Sequence, residues 1–209
     1  MVKKVDNANA QAKLDLRRYL LKKYHADPVR VLDCCQGDGL LWGRLRQEFS
    51  VGHYWGVDIK AKKGRLSLDS SRILCQGDLD YDVIDIDTYG APWKHWEALL
   101  PNISHAVTVF LTIGQWQMGT SNEIKQALGI RGLGVPPGIC RKLHAISVSY
   151  CLARSYDYDI ILQEVVEASC AASHARYIGV RLEPQKNEQP TGKVGCSNHS
   201  NPGKEDSNV

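Results

Sequence analysis

The chain has 209 residues, of which 23% are charged and 43% hydrophobic, and a formal net charge of +3. These values fit one globular domain with a substantial buried core and leave little room for two. No apolar h-region follows Met1-Val2-Lys3-Lys4, and the longest apolar run, Ala106 to Ile113, is interrupted by threonines and too short to cross a bilayer. A cytoplasmic protein with no membrane partner is therefore expected.

The charge is unevenly spread: residues 1–72 hold 15 Lys/Arg against 8 Asp/Glu, whereas residues 73–110 hold one Lys against six acids. A basic surface of this kind can track phosphates, so RNA is a candidate partner through the N-terminal region, although such clusters are commonly only a solvated face. The seven cysteines, at 34, 35, 75, 140, 151, 170 and 196, lie mostly in apolar runs without the paired spacing of a zinc or dithiol site, which predicts buried reduced thiols and no metal.

Residues 8–24 predict an amphipathic helix, with Leu14, Leu20, Leu21 and Tyr24 on one stripe and Lys13, Arg17, Arg18, Lys22 and Lys23 elsewhere on its surface. Asp27-Pro28 ends this basic segment, taken as residues 1–28. There follow β-rich runs at Val29–Cys35, Tyr54–Lys60, Arg72–Asp78 and Tyr81–Asp87, with a helix from Gly39 to Phe49. That alternation predicts a parallel sheet with crossover helices. Only Leu79-Asp80 separates the third run from the fourth, too little for a parallel crossover, so either those strands are not neighbours or the boundaries are wrong. Beyond them, Trp93–Leu100 reads as helix, His105–Gly114 as a buried strand, Ser121–Leu128 as a short helix, 129–138 as a Gly/Pro loop and 139–154 as helix. Tyr158–Ala168 and Ala175–Glu183 then form a terminal hairpin, and residues 184–209, poor in apolar side chains, are expected to be a disordered tail.

Three features carry chemistry. Val31-Leu-Asp-Cys-Cys-Gln-Gly-Asp-Gly39 is a buried strand running into a glycine turn and a helix, where a ligand can approach the backbone. Its glycines alone also approximate a dinucleotide fingerprint. Asp33 separates the two readings, because a buried carboxylate suits a cationic or amine-bearing ligand and opposes a pyrophosphate. Gly56-Val-Asp-Ile-Lys60 then puts an acid at the end of the next strand, where it can bind both hydroxyls of a ribose. Cys75-Gln-Gly-Asp78 ends in an acid that either receives an adenine amino group or merely caps a turn.

The ordered series Val-Leu-Asp…Gly-Asp-Gly39, Gly-Val-Asp58, Gly-Asp78 and Asp85-Ile-Asp87 resembles the motifs of class I S-adenosylmethionine-dependent methyltransferases over residues 29–115. The terminal hairpin extends the resemblance to about residue 183. It implies an α/β Rossmann-like fold over residues 29–183, with a mostly parallel seven-stranded sheet ending in an antiparallel hairpin, and S-adenosylmethionine as cofactor. It further implies that Asp33 faces the methionine amino group, Gly37 and Gly39 make room for the cofactor, Asp58 holds the ribose and Asp78 holds adenine, with Ile59 and Leu79 also in the cofactor site. Cys35 stands where the family has its first glycine and would narrow the pocket.

The segment Asp85-Ile-Asp-Thr-Tyr-Gly-Ala-Pro-Trp93 bears on the methyl acceptor. Asp87, Tyr89 and Pro92 resemble the Asp-Pro-Phe-Gly motif of tRNA guanine N2-methyltransferases, with Thr88 in place of proline. That resemblance implies an exocyclic base amine gripped by oxygens, with its ring stacked on an aromatic. A plain strand-to-loop junction remains the structural alternative. Trp93 and Trp96, at helical spacing, are expected in the core. The seven histidines form no triad or metal set. Methylation of a small aromatic metabolite, a nicotinamide dehydrogenase, and a non-catalytic cofactor- or partner-binding protein remain the competing functions.

Overall fold

The computed structural model describes residues 9–60, 67–77, 79–88, 90–114, 148–168 and 175–185. Six strands form one sheet: β1 (Val29–Asp33), β2 (Val51–Gly56), β3 (Val83–Ile86), β4 (Val107–Ile113), β5 (Ile160–Ala168) and β6 (Arg176–Pro184), in the order β2-β1-β3-β4-β6-β5. The pairs β1–β2, β1–β3 and β3–β4 are parallel, while β6 is antiparallel to both β4 and β5. The predicted terminal hairpin is thus present, and its second strand inserts beside a parallel one.

The strand expected over Arg72–Asp78 is absent among the described residues, which hold six strands and not seven. Its place is taken by helix α3 (Ser70–Leu74). The Asp69 carboxylate accepts hydrogen bonds from the Ser71 backbone N–H at 3.0 Å and its hydroxyl at 2.7 Å, a helix-capping arrangement that overrides the β-like run behind it. Ile73 and Leu74 are buried all the same, on a helical face. This removes the crossover difficulty at Leu79-Asp80. Strand β2 also lies earlier than expected, so that Asp58 falls in the loop after it.

Two apolar layers flank the sheet. Strand alternation sends Val31, Val83 and Phe110 to one face, against Leu14, Leu20 and Leu21 of α1 (Ala10–Tyr24) and Trp42 and Leu45 of α2 (Leu40–Glu48). It sends Leu32, Ile84, Ile86, Val109 and Leu111 to the other, against Ile73, Leu74 and the α4 (Trp93–Leu99) residues Trp93, Trp96 and Leu99. Trp96 is fully buried and its indole N–H donates to the Cys151 carbonyl at 2.7 Å, so both tryptophans are core residues. Residues 148–153 are helical. The expected elements at Ser121–Leu128 and 129–138, and the tail beyond residue 185, lie outside the described residues.

Helix α1 sits directly on β6, where a Cβ at Gly179 would overlap Leu20 and press on Leu16. Arg17, expected on the helix surface, points inward and is only 1% exposed. Cys34 and Cys151 are buried, whereas Cys75, expected inside, is exposed. No helix among the described residues is long and apolar enough to cross a membrane.

Candidate active site

Strand order reverses at β1, which has β2 on one side and β3 on the other. In open α/β sheets such a switch point leaves a crevice at the carboxyl ends of the strands. The chain at that end of β1 is the glycine turn. Gly37 (φ +53°) and Gly39 (φ +71°) both take left-handed backbone, which a side chain disfavours, and Gly39 caps α2. The turn is tied down by Gln36 N–H to the Val57 carbonyl at 2.9 Å and by Cys34 N–H to the Asp85 carbonyl at 2.8 Å.

Asp58 stands next to this turn. One carboxylate oxygen accepts the Gly37 N–H at 2.8 Å and the other the Lys60 N–H at 2.8 Å, so the acid and the glycine loop are held as one unit. Ile59 beside it is 67% exposed, an apolar side chain on an open edge. Leu79 is buried in the core cluster on the α3/α4 face. Asp78 lies outside the described residues.

Asp33, 5% exposed, accepts the Tyr54 hydroxyl at 2.8 Å. Burial, with the Asp85 carboxylate beside it in register on β3, pushes its pKa up to about 8, against the opposing pull of the Tyr54 hydrogen bond and Arg17. Cys35 is half-buried and packs against the core. Burial and the Asp33, Asp87 and Asp58 carboxylates push its thiol well up, so it stays neutral and is no nucleophile.

The residues expected on the acceptor side follow β3. Asp87 takes the Lys13 ammonium on both oxygens at 2.7 Å, and its side chain is 24% exposed. Burial alone would raise its pKa, but the charges of Lys13 and Arg17, with hydrogen bonds from Lys13 and Thr112, hold it below the usual carboxylate value. The neighbouring Thr88 hydroxyl is buried and has no partner among the described residues. Pro92 is buried at the start of α4, its carbonyl accepting the His95 and Trp96 N–H groups, which is a helix-starting role. Tyr89 lies outside the described residues. The loop is closed by Gly90 (φ +120°), whose carbonyl accepts the Gly114 N–H at the end of β4.

No protein-family model matches the sequence, and no curated protein matches it significantly. Among solved structures the chain is similar to Trm1 from Pyrococcus horikoshii in complex with S-adenosyl-L-methionine, with a TM-score of 0.60, 15% identity, and coverage of 84% of this chain and 56% of that one. It is also similar to a protein from Streptococcus thermophilus assigned as a hemolysin (TM-score 0.57, 12% identity, 87% of this chain and 70% of that one). A third similar structure is the plantazolicin methyltransferase BamL with a triazolic desmethylPZN analog and SAH (TM-score 0.53, 12% identity, 86% and 87%). The chain has the class I methyltransferase fold. It spans a little over half the length of the Trm1 chain.

Within this methyltransferase fold the structure gathers Asp33, Cys35, Gly37, Gly39 and Asp58 around the end of β1, and sets Asp87 at the end of β3. Four further residues belong to the same region. Tyr54 holds Asp33, Trp42 donates its indole N–H to Asp85 at 2.7 Å, and Arg17 grips Asp85 through two hydrogen bonds of 2.6 and 2.7 Å. Lys13 is the fourth. The i, i+4 spacing of Lys13 and Arg17 against the i, i+2 spacing of Asp85 and Asp87 is a signal that sequence alone contained but did not pair.

Proposed function

We propose that this chain is an S-adenosylmethionine-dependent methyltransferase acting on an exocyclic amine of a nucleobase in RNA. One observation carries the cofactor half: among the described residues Asp33, Asp85 and Asp87 face two cations, Lys13 and Arg17, so Asp33, buried under the glycine turn, is the carboxyl left without a counter-charge, and its pKa is pushed up to about 8. An ammonium ligand supplies the missing charge, whereas the pyrophosphate of a nicotinamide dinucleotide would add repulsion. Cys35, half-buried and neutral, is compatible with the ligand at the position usually given to glycine. Asp58 would hold the ribose, and the exposed Ile59 would cover one side of the adenine pocket.

Held by Asp33, the glycine turn and Asp58, S-adenosylmethionine would supply an electrophilic methyl and leave as its demethylated product, while Asp87 would accept the acceptor amine's N–H and pass the proton it loses to water. The protein's share is alignment and a carboxylate aimed at the amine as positive charge develops. The RNA part of the reading rests on the acceptor loop and not on helix charge. Four of the five α1 cations are ion-paired within the fold: Lys13 to Asp87, Arg17 to Asp85, Arg18 to Glu48, and Lys23 to Glu164.

Calorimetry with S-adenosylmethionine, its demethylated product and NAD tests the cofactor half. The first two should bind and NAD should not. Asp58→Ala removes a charge-assisted ribose contact and releases the Gly37 N–H, so its dissociation constant should rise about 10- to 150-fold, equivalent to about 1.5–3 kcal/mol. Equal affinity in wild type and Asp58→Ala excludes that role. For the acceptor half, Asp87→Ala and Tyr89→Ala should keep cofactor affinity while losing tritiated methyl transfer to bulk tRNA. Transfer to small aromatic amines but not to tRNA would point to a metabolite instead.

A further inference from the structure

We infer that Lys13 is a positioning residue for methyl transfer, which holds the Asp87 carboxylate ionised and oriented at the acceptor edge. The inference rests on the reading of Asp87 as acceptor-facing. Lys13 and Arg17 are one helical turn apart on α1, a rise of about 6 Å, and Asp85 and Asp87 are two residues apart at the end of β3, about 6.6 Å. The helix runs against the strand, and the two spacings match, so the four side chains form a ladder with two rungs.

The rungs differ in what surrounds them. Arg17 and Asp85 are each 1% exposed, closed in by Trp42 and by Phe110, whose ring centroid lies 4.9 Å from the guanidinium. Lys13 and Asp87 are 12% and 24% exposed, so the outer rung opens on the edge where an acceptor arrives. The Lys13 ammonium lies 5.2 Å from the Tyr177 ring centroid, and the Tyr177 hydroxyl takes a hydrogen bond from Asn9 at 3.0 Å, which fixes the lysine from behind.

A carboxylate there needs two properties. It must stay charged although partly desolvated, beside Asp85, Asp33 and the Cys35 thiol. Lys13 supplies the opposing charge from α1, assisted by Arg17 and the Thr112 hydroxyl of β4. It must also keep a lone pair free. Lys13 takes one direction on each oxygen and the Thr112 hydroxyl a third, which leaves one of the carboxylate's roughly four acceptor directions for an amine N–H.

The test uses the full chain as wild type, Lys13→Met, Lys13→Arg and Asp87→Asn. Tritiated methyl transfer to bulk tRNA is followed from pH 5.5 to 8.5 at saturating S-adenosylmethionine, alongside cofactor calorimetry and melting. Lys13→Met should bind cofactor within about twofold of wild type and change KM for tRNA less than threefold. Wild type should show no acid limb in this window, whereas in Lys13→Met a limb should enter it and kcat should fall as pH drops toward 5.5, because Asp87 loses the charge that holds its pKa below the usual carboxylate value. Lys13→Arg should restore the wild-type profile. Lys13→Gln, which keeps a hydrogen bond without the charge, gives the same reading if the methionine variant does not fold. A Lys13→Met profile superimposed on wild type, with Asp87→Asn inactive, overturns the role of Lys13 alone. Joint loss of melting temperature, cofactor affinity and kcat in Lys13→Met overturns it as well, by making the lysine a pin for α1. Wild type that binds cofactor but methylates no tRNA overturns the acceptor reading and the inference with it.

Discussion

Arg17→Met is expected to destabilise the protein by about 3–5 kcal/mol, because it leaves the Asp85 carboxylate buried without its counter-charge. Burial works against the Arg17 charge, yet Asp85, with Asp87 and Asp33 behind it, more than compensates and raises the guanidinium pKa above its ordinary value. The guanidinium therefore keeps its charge at any accessible pH. In a chain of this size the loss should appear as a fall in melting temperature of roughly 6–20 °C. The double variant Arg17→Met/Asp85→Asn discriminates the cause. Asparagine keeps an acceptor for the Trp42 indole and removes the stranded charge, so it should recover at least half of the loss. Chemical denaturation of the three proteins measures both steps, and a single variant within 1 kcal/mol of wild type would show that α1 does not depend on this contact.

That contact also marks where sequence reasoning stopped. The glycine turn, β1, α2, α4 and the terminal hairpin were all legible, because each is written locally by strand runs, φ-permissive glycines or helical spacing of apolar residues. Arg17 and Lys13 were read as surface cations because periodicity counts any charged residue as outward, and their partners lie 68 and 74 positions away. The segment Arg72–Asp78 reads as a strand because Ile73 and Leu74 open a β-like run, whereas the Asp69 cap before Ser-Ser starts a helix at Ser70 that takes in its first three residues. Asp33, Gly37, Gly39 and Asp58 were found as a set because their motif order survives in sequence. Tyr54, which completes the surroundings of Asp33, looked like an ordinary strand aromatic.

Asp33 gives the other large effect, one that reverses between apo protein and complex. Its folded pKa of about 8 lies above the usual carboxyl value of 3.8, so between those limits the folded state holds a proton that the unfolded chain has released. Stability of the apo protein from this group is therefore full below pH 4 and declines as pH rises toward 8. Asp33→Asn removes that dependence. The variant should gain stability over wild type as pH increases from 4 to 8, by up to about 1.4 kcal/mol per pH unit. Binding runs the other way, since an ammonium ligand selects the ionised carboxylate and must expel the proton. From pH 5.5 to 7, where an α-amino group is still protonated, S-adenosylmethionine affinity of wild type should rise with pH by up to tenfold per unit. Calorimetry in buffers of different ionisation enthalpy should then register release of about one proton per cofactor bound, and none for Asp33→Asn. Proton release of equal size in both proteins would place the titrating group elsewhere in the site.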